Sequence, residues 1–318
     1  MSTTSHPSSL TLPVEPAHAK QRIDALIASV GQVIIGKDDA IRLAVTCLLA
    51  RGHLLFEDLP GVGKTTLSQT LARALGLNFR RVQFTSDLLP ADILGASIFE
   101  RESSSFVFKP GPIFTQVLLA DEINRATPKT QSALLEAMEE GQVTADGHTH
   151  ALPEPFFVIA TQNPTTQMGT FPLPESQLDR FLMRLELGIP ARDAERRMLM
   201  GDDRRDIVRN LVATLAPDEL RSLQQCSRAV HVSPALLDYV QDLLAASRQH
   251  GHGLSPRAGI ALLAAARAWA LLQGRPMVIP EDVQAIGPAV MAHRLDRVIE
   301  GMTGRDLAAR LIKDVPVV

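Results

Sequence analysis

The chain has 318 residues, 45% of them hydrophobic, and its 32 Lys+Arg against 35 Asp+Glu leave a formal net charge of -3. That length can bury cores of ordinary size in about two domains, and the balanced charge argues against a globally basic nucleic-acid binder and against an acidic disordered chain. Aromatics at 4% disfavour stacking platforms for single strands or sugars, and the widely separated Cys47 and Cys226 suit neither a disulfide scaffold nor a thiolate metal site.

Residues 1–17, rich in Ser, Thr and Pro, read as a disordered tail without a basic start or an apolar targeting segment. Apolar residues at helical spacing (Ile41, Val45, Leu48, Leu49) predict a helix over Lys37–Arg51. His53–Glu57 then reads as a buried strand, Lys64–Leu75 as a helix, and Arg81–Phe84 and Val117–Ala120 as further strands. A helix over Lys129–Glu140 stops at Gly141, and strands follow at Phe156–Thr161 and Phe181–Leu187. Strands alternating with helices imply parallel βαβ units, so residues 18–190 are expected to form one α/β domain.

After Pro190 only helices are predicted: Ala191–Met200, Pro217–Ser227, Pro234–Arg248, Ser255–Gln273 and Pro280–His293. Pro217, Pro234, Pro256 and Pro280 sit at or beside helix starts, where the missing N–H is not needed. Residues 191–318 therefore read as a smaller all-α domain, with Asp202–Asp206 as a solvated face or linker. No segment reaches the roughly 18 uninterrupted apolar residues of a membrane span; the richest, Ala258–Leu272, is broken by Arg267. A soluble, cytoplasmic protein with no membrane insertion is expected.

The chemistry concentrates after the first strand. Asp58-Leu-Pro-Gly-Val-Gly-Lys-Thr-Thr66 opens a helix, as a nucleotide phosphate requires. Gly61 and Gly63 let backbone amides close around phosphates, Lys64 reaches the β and γ oxygens, and the Thr65 hydroxyl can ligate Mg²⁺. Asp58 stands where the G-x-x-x-x-G-K-[ST] pattern has its first glycine; the cradle of Pro60, Gly61, Val62, Gly63, Lys64, Thr65 and Thr66 lies beyond it and can survive the change. Val117-Leu-Leu-Ala-Asp-Glu122 ends an apolar strand in two acids. By itself such a run reads as a capped turn; joined to the phosphate loop, Asp121 is placed for Mg²⁺ and Glu122 for polarising an attacking water, so hydrolysis is preferred over phosphoryl transfer to a small acceptor.

On Leu59-Pro-Gly-Val-Gly-Lys-Thr65, Leu119-Ala-Asp-Glu-Ile-Asn-Arg-Ala126, Lys129–Met138, Ala160-Thr-Gln-Asn-Pro164, Leu173–Phe181 and Ser255-Pro-Arg-Ala258, the chain resembles the MoxR branch of the AAA+ ATPases. The resemblance spans about residues 30–295. It implies a P-loop NTPase fold: a parallel five-stranded sheet sandwiched by helices, a helical lid, and two insertions. Residues about 85–112 resemble the helix-2 insert, and residues 141–154 the pre-sensor-1 hairpin, whose Asp146-Gly147 is itself a hairpin signal.

The same resemblance assigns Asn163 as sensor 1, Arg180 as the arginine finger acting on a neighbouring subunit's nucleotide, and Arg257 as sensor 2, the lid arginine that reports the γ-phosphate. Ile34-Ile-Gly36-Lys37 matches the segment against adenine, although an apolar pair and a glycine fit any helix start. Arg125 either contacts a neighbouring subunit or nucleotide or faces solvent. His148/His150 and His250/His252 could each share a face, but with no cysteine nearby they read as solvated histidines. A ring, expected to be a hexamer, and a client or co-chaperone protein are implied, the usual partners in the family carrying von Willebrand factor A domains. A DNA-associated motor is the competing reading, disfavoured by the lack of a basic stripe; a nucleotide-dependent switch or scaffold is another, opposed by the intact Glu122 and Arg180.

Overall fold

The computed structural model describes residues 15–102, 104–163, 169–201, 204–249, 253–295 and 301–317. The chain begins with α1 (Pro16–Val33), which buries Ala19, Ile23, Leu26, Val30 and Val33 at helical spacing. The expected tail is therefore too long: residues 16 and 17 form the first turn of α1, with Pro16 where no N–H is needed, and residues 1–14 lie outside the described residues.

The α/β part continues through α2 (Asp38–Leu49), β1 (Leu54–Glu57), α3 (Lys64–Ala74), β2 (Phe79–Gln83), α4 (Pro90–Leu94), β3 (Gly95–Glu100), β4 (Ser105–Pro110) and β5 (Val117–Asp121). A single 3-10 turn, Ile123–Arg125, leads to α5 (Pro128–Glu140), β6 (Gln142–Ala145), β7 (His148–Ala151), β8 (Phe157–Gln162), α6 (Glu175–Leu178) and β9 (Met183–Leu185). Among the described residues the elements that follow are helices, with one isolated bridge between His231 and Met277: α7 (Arg192–Met200), α8 (Arg204–Asn210), α9 (Pro217–Ala229), α10 (Pro234–Arg248), α11 (Pro256–Leu272), α12 (Pro280–Leu295) and α13 (Gly304–Asp314). Of the stretch 202–206, expected as a solvated face or linker, residues 204–206 open α8 with Asp206 exposed, and 202 and 203 lie outside the described residues. Among the described residues no helix is long and apolar enough to cross a membrane.

Five strands make one parallel sheet in the order β2-β5-β8-β1-β9, with Leu54 level with both Ile159 and Met183. The central strands are apolar up to their polar C-terminal ends because both faces are covered. Alternation sends their residues to two cores. Leu54, Phe56, Leu119 and Ile159 pack with α1–α3 and the lid helices, whereas Leu55, Leu118, Ala120, Val158 and Ala160 meet α5 and the insertions. Burying one leucine in either core contributes about 1.5–3 kcal/mol.

Helix α11 is the centre of the lid. Its alanines 258, 265, 266, 268 and 270 are buried on several sides, which lets α1, α2, α9, α10 and α12 approach closely. Three helices start on one device, a hydroxyl that accepts the third backbone N–H beyond it followed by proline: Thr127-Pro128, Ser233-Pro234 and Ser255-Pro256. The insertions form two antiparallel hairpins, β3–β4 and β6–β7. Asp146 and Gly147 turn the second with φ of 50° and 78°, the pair of positive angles a two-residue hairpin loop demands. The hairpins meet where the Phe108 ring stacks on His150, with centroids 3.9 Å apart.

Candidate functional site

The loop after β1 delivers backbone N–H groups to the start of α3. Gly61 and Gly63 have φ of 87° and 101°, and no atom lies within 4 Å of where a Cβ would stand at either, so the loop needs glycine for its backbone angles and keeps the space above it open. Pro60, Gly61, Gly63, Lys64, Thr65 and Thr66 line a cavity of about 330 Å³ together with Arg81, Gln83, Asp121, Glu122, Thr161, Gln162 and Asn163. Five of the residues singled out for chemistry, Lys64, Thr65, Asp121, Glu122 and Asn163, thus share one cavity at the C-terminal ends of β1, β5 and β8, where ligands bind in open α/β sheets. Val62 packs its side chain against the core instead.

Lys64 Nζ donates to the carbonyls of Asp58 (2.5 Å) and Leu59 (3.0 Å). Partial burial lowers its pKa, opposed by Asp58, Asp121 and Glu122. Asp58, in the place of the usual glycine, is buried: Oδ1 accepts the Leu59 N–H at 2.8 Å and Oδ2 accepts those of Leu187 and Gly188, each at 2.6 Å. It ties the start of the phosphate loop to the chain leaving β9, a role that the sequence did not disclose.

The two acids are held by a polar network. The Thr161 hydroxyl donates to Asp121 Oδ1 at 2.6 Å and accepts the Glu122 N–H at 2.9 Å. Arg81, from the neighbouring strand, donates twice to Asp121 Oδ2, at 2.6 and 3.0 Å. Gln83 Nε2 and Arg125 Nη1 both donate to Glu122 Oε2, at 3.1 and 2.9 Å. Arg125 is exposed and pairs with Glu122. Glu122 itself has φ 56° and ψ 49°, a left-handed conformation that costs a non-glycine residue about 1–2 kcal/mol and concentrates at working sites. Arg81, Gln83 and Thr161 were missed in the sequence because only the sheet order sets β2 and β8 on either side of β5.

Among the described residues no three His, Cys, Asp or Glu side chains cluster as a metal cage. A divalent ion here would take most of its ligands from substrate phosphates and water, which suits Mg²⁺. His150 lies on Phe108, and the expected pair at 250 and 252 lies outside the described residues.

Arg180 and Arg257 are not among the residues lining the phosphate cavity. They line a second one, of about 290 Å³, with Arg51, His53, Glu139, Asp179 and Arg294. Arg180 Nη1 lies 3.1 Å from Glu139 Oε2 and donates to the Leu135 carbonyl at 2.8 Å, and Arg257 pairs with the same Glu139 carboxylate. Neither arginine therefore reaches the phosphate loop of its own chain in this structure. The lid packs through α11 and α12 on α1, α2 and β9, and that docking carries Arg257 to Glu139. Gly36, with φ 71°, lies against Ala194 and is likewise absent from the phosphate cavity's lining.

Residues 53–183 match the profile of the ATPase family associated with various cellular activities (AAA), and residues 244–310 match that of the AAA lid domain. The chain is 43% identical to uncharacterized protein YeaC of Bacillus subtilis, covering 92% of this chain and 93% of that one. It is 40% identical to chaperone MoxR1 of Mycobacterium tuberculosis, covering 86% of this chain and 75% of that protein. A crystal structure from Cytophaga hutchinsonii, described provisionally as an ATPase, matches with a TM-score of 0.84 at 34% identity, covering 95% of this chain and 97% of the other.

Proposed function

The chain belongs to the MoxR family of AAA+ ATPases, and from that premise we propose that it couples ATP hydrolysis in a ring of identical subunits to the remodelling of partner proteins. One observation carries the reading. The phosphate loop, both acids and Asn163 surround one cavity, while Arg180 and Arg257 lie together outside it, which supports a site completed by arginines of a second chain.

In this reading the amides of residues 61–66 and the N-terminus of α3 cradle the phosphates of ATP, with Lys64 on the β and γ oxygens. Thr65 and Asp121 would hold Mg²⁺, which would supply charge neutralisation to the transferred phosphoryl group. Glu122 accepts a proton from the attacking water and Asn163 orients it. Thr161, Arg81 and Gln83 fix the two carboxylates in place. Arg180 of an adjacent subunit stabilises the charge that develops in the transition state, an effect worth orders of magnitude in rate. Gly36 sits with Ile34, Ile35 and Lys37 in the segment proposed to meet the adenine.

The ring is proposed to be a hexamer working in the cytoplasm. Its clients are proposed to be proteins awaiting assembly or maturation, with a von Willebrand factor A domain protein as the favoured co-chaperone. The chaperone name of the Mycobacterium relative supports this class, and the net charge of -3 supports it over a nucleic-acid motor. The test is capture with the Glu122→Gln variant and ATP, which holds the substrate-bound state. Recovery of a defined protein client, lost when ATP is replaced by ADP, is expected; recovery of nucleic acid alone would overturn the reading.

A further inference from the structure

Helix α2 ends in a hydrogen-bonding pattern that normally calls for glycine. The Gly52 N–H donates to the Cys47 carbonyl at 2.9 Å and the Arg51 N–H to the Leu48 carbonyl at 3.1 Å, the paired bonds of a Schellman cap. The residue between helix and Gly52 must then be left-handed, and it is an arginine with φ 59°. Arginine gains nothing locally from this backbone, which glycine adopts freely. Such outliers persist where the side chain serves a purpose elsewhere.

The side chain lines the second cavity with three other arginines. Arg294 is committed: it is 5% exposed and donates to Asp179 and to the carbonyls of Leu182 and Phe181. Arg180 and Arg257 share a single carboxylate, Glu139. Arg51 is exposed and forms no ion pair among the described residues. Four guanidinium groups against two carboxylates leave this cavity with an excess of two positive charges, open to solvent and edged by Ile260, which is 70% exposed. An excess of forked donors around one anion-sized space suits a polyphosphate, and an apolar rim suits protein contact.

We propose that Arg51 is a third cation of the cross-subunit site, donating with Arg180 and Arg257 to the phosphates of the nucleotide bound by a second copy of this chain. Glu139 occupies the arginines until that anion replaces it. The inference rests on the ring reading above and extends it to a residue that no sequence pattern marks.

Arg51→Gly is the discriminating variant, because glycine suits the left-handed position. It should melt at or above the wild-type temperature and, in protein too dilute for neighbours to meet, bind a fluorescent ATP analogue with unchanged affinity, since Arg51 is not part of its own chain's phosphate cavity. Turnover in concentrated protein should fall at least about tenfold, as for other cations that stabilise the phosphoryl-transfer transition state. Lys64→Ala, which loses its own phosphate grip but keeps Arg51, should restore activity when mixed with Arg51→Gly. Equal mixing matches about a quarter of neighbouring pairs correctly, half of one variant facing half of the other across a head-to-tail interface. Wild-type turnover in Arg51→Gly, or a mixture no faster than its separate parts, would overturn the proposal. If wild-type turnover per subunit did not depend on protein concentration, the ring premise itself would fall, a result separable from either of these.

Discussion

Replacing Asp58 by glycine, the residue that phosphate loops ordinarily carry there, should weaken this protein. Asp58 is 8% exposed and its carboxylate accepts three backbone N–H groups, from Leu59 at 2.8 Å and from Leu187 and Gly188 at 2.6 Å. Hydrogen bonds to a charged group contribute about 1.5–3 kcal/mol each, and stranding a buried donor costs about 1–3 kcal/mol. The three bonds act as one clamp and do not add in full, so a loss of about 3 kcal/mol is the working value, with a further 0.5–1 kcal/mol or so from the freedom that glycine gives the unfolded chain. At about 2–4 °C per kcal/mol for a chain of this size class, the midpoint should drop by about 7–16 °C. Scanning calorimetry at neutral pH measures it, with Asp58→Asn, which keeps the shape and one acceptor, expected between the two. An Asp58→Gly protein melting at or above wild type would refute the assignment of Asp58 as the tie between the phosphate loop and the strand β9 exit.

Acid should destabilise the fold through its buried histidines. Burial lowers the pKa of His53 from 6.5 to about 4, and lowers that of His293 well below its ordinary value, with Arg294 and Arg184 adding to the effect. Below pH 6.5 the unfolded chain binds protons that the folded one refuses, so the stability is complete above that pH and is lost as pH falls toward 4. His53 alone removes about 2 kcal/mol at pH 5, and a melting temperature unchanged between pH 7.5 and 5 would contradict this. Thr161→Val keeps the shape but strands the Glu122 N–H and frees Asp121 Oδ1; kcat should fall about tenfold or more, the effect of misplacing the acids by 1.4 kcal/mol, and a kcat equal to wild type would remove Thr161 from the positioning network. Gly63→Ala meets no atom but must hold φ 101°, so it should lose about 1–2 kcal/mol of stability and bind ATP more weakly, both read in one nucleotide-dependent melting series.

Much of this architecture was legible because its signals are local. Fully buried parallel strands read as unbroken apolar runs (Val117–Ala120), hydroxyl-proline pairs start helices, and Asp146-Gly147 closes a hairpin whatever lies around it. Helix α1 was overlooked although Ala19, Ile23, Leu26 and Val30 keep its period, because polar residues dilute the pattern and its partners lie far along the chain. Strand β3 exposes Ile98 and Phe99, so its sequence lacks the apolar-in, polar-out alternation. Helix α13 carries its own mark, the Thr303–Asp306 capping box, which a search for proline starts passes over. The site divides in the same way. Glycines, Lys64 and the strand-end acids are fixed by one loop and one strand, whereas Arg81, Gln83 and Glu139 acquire meaning only from which strands and helices the topology sets side by side. Arg257 sits at a helix start as its sequence implies, yet lid docking decides which cavity it enters.

The most direct test of the account is phosphate release by wild type and Glu122→Gln across a series of protein concentrations, with ATP binding measured in parallel. Turnover per subunit of the wild type should rise with concentration as neighbouring chains supply Arg180, and Glu122→Gln should bind ATP but release phosphate at least about 100-fold more slowly, the contribution expected of a positioned general base. Equal turnover in the two proteins would contradict the placement of hydrolysis at this cavity.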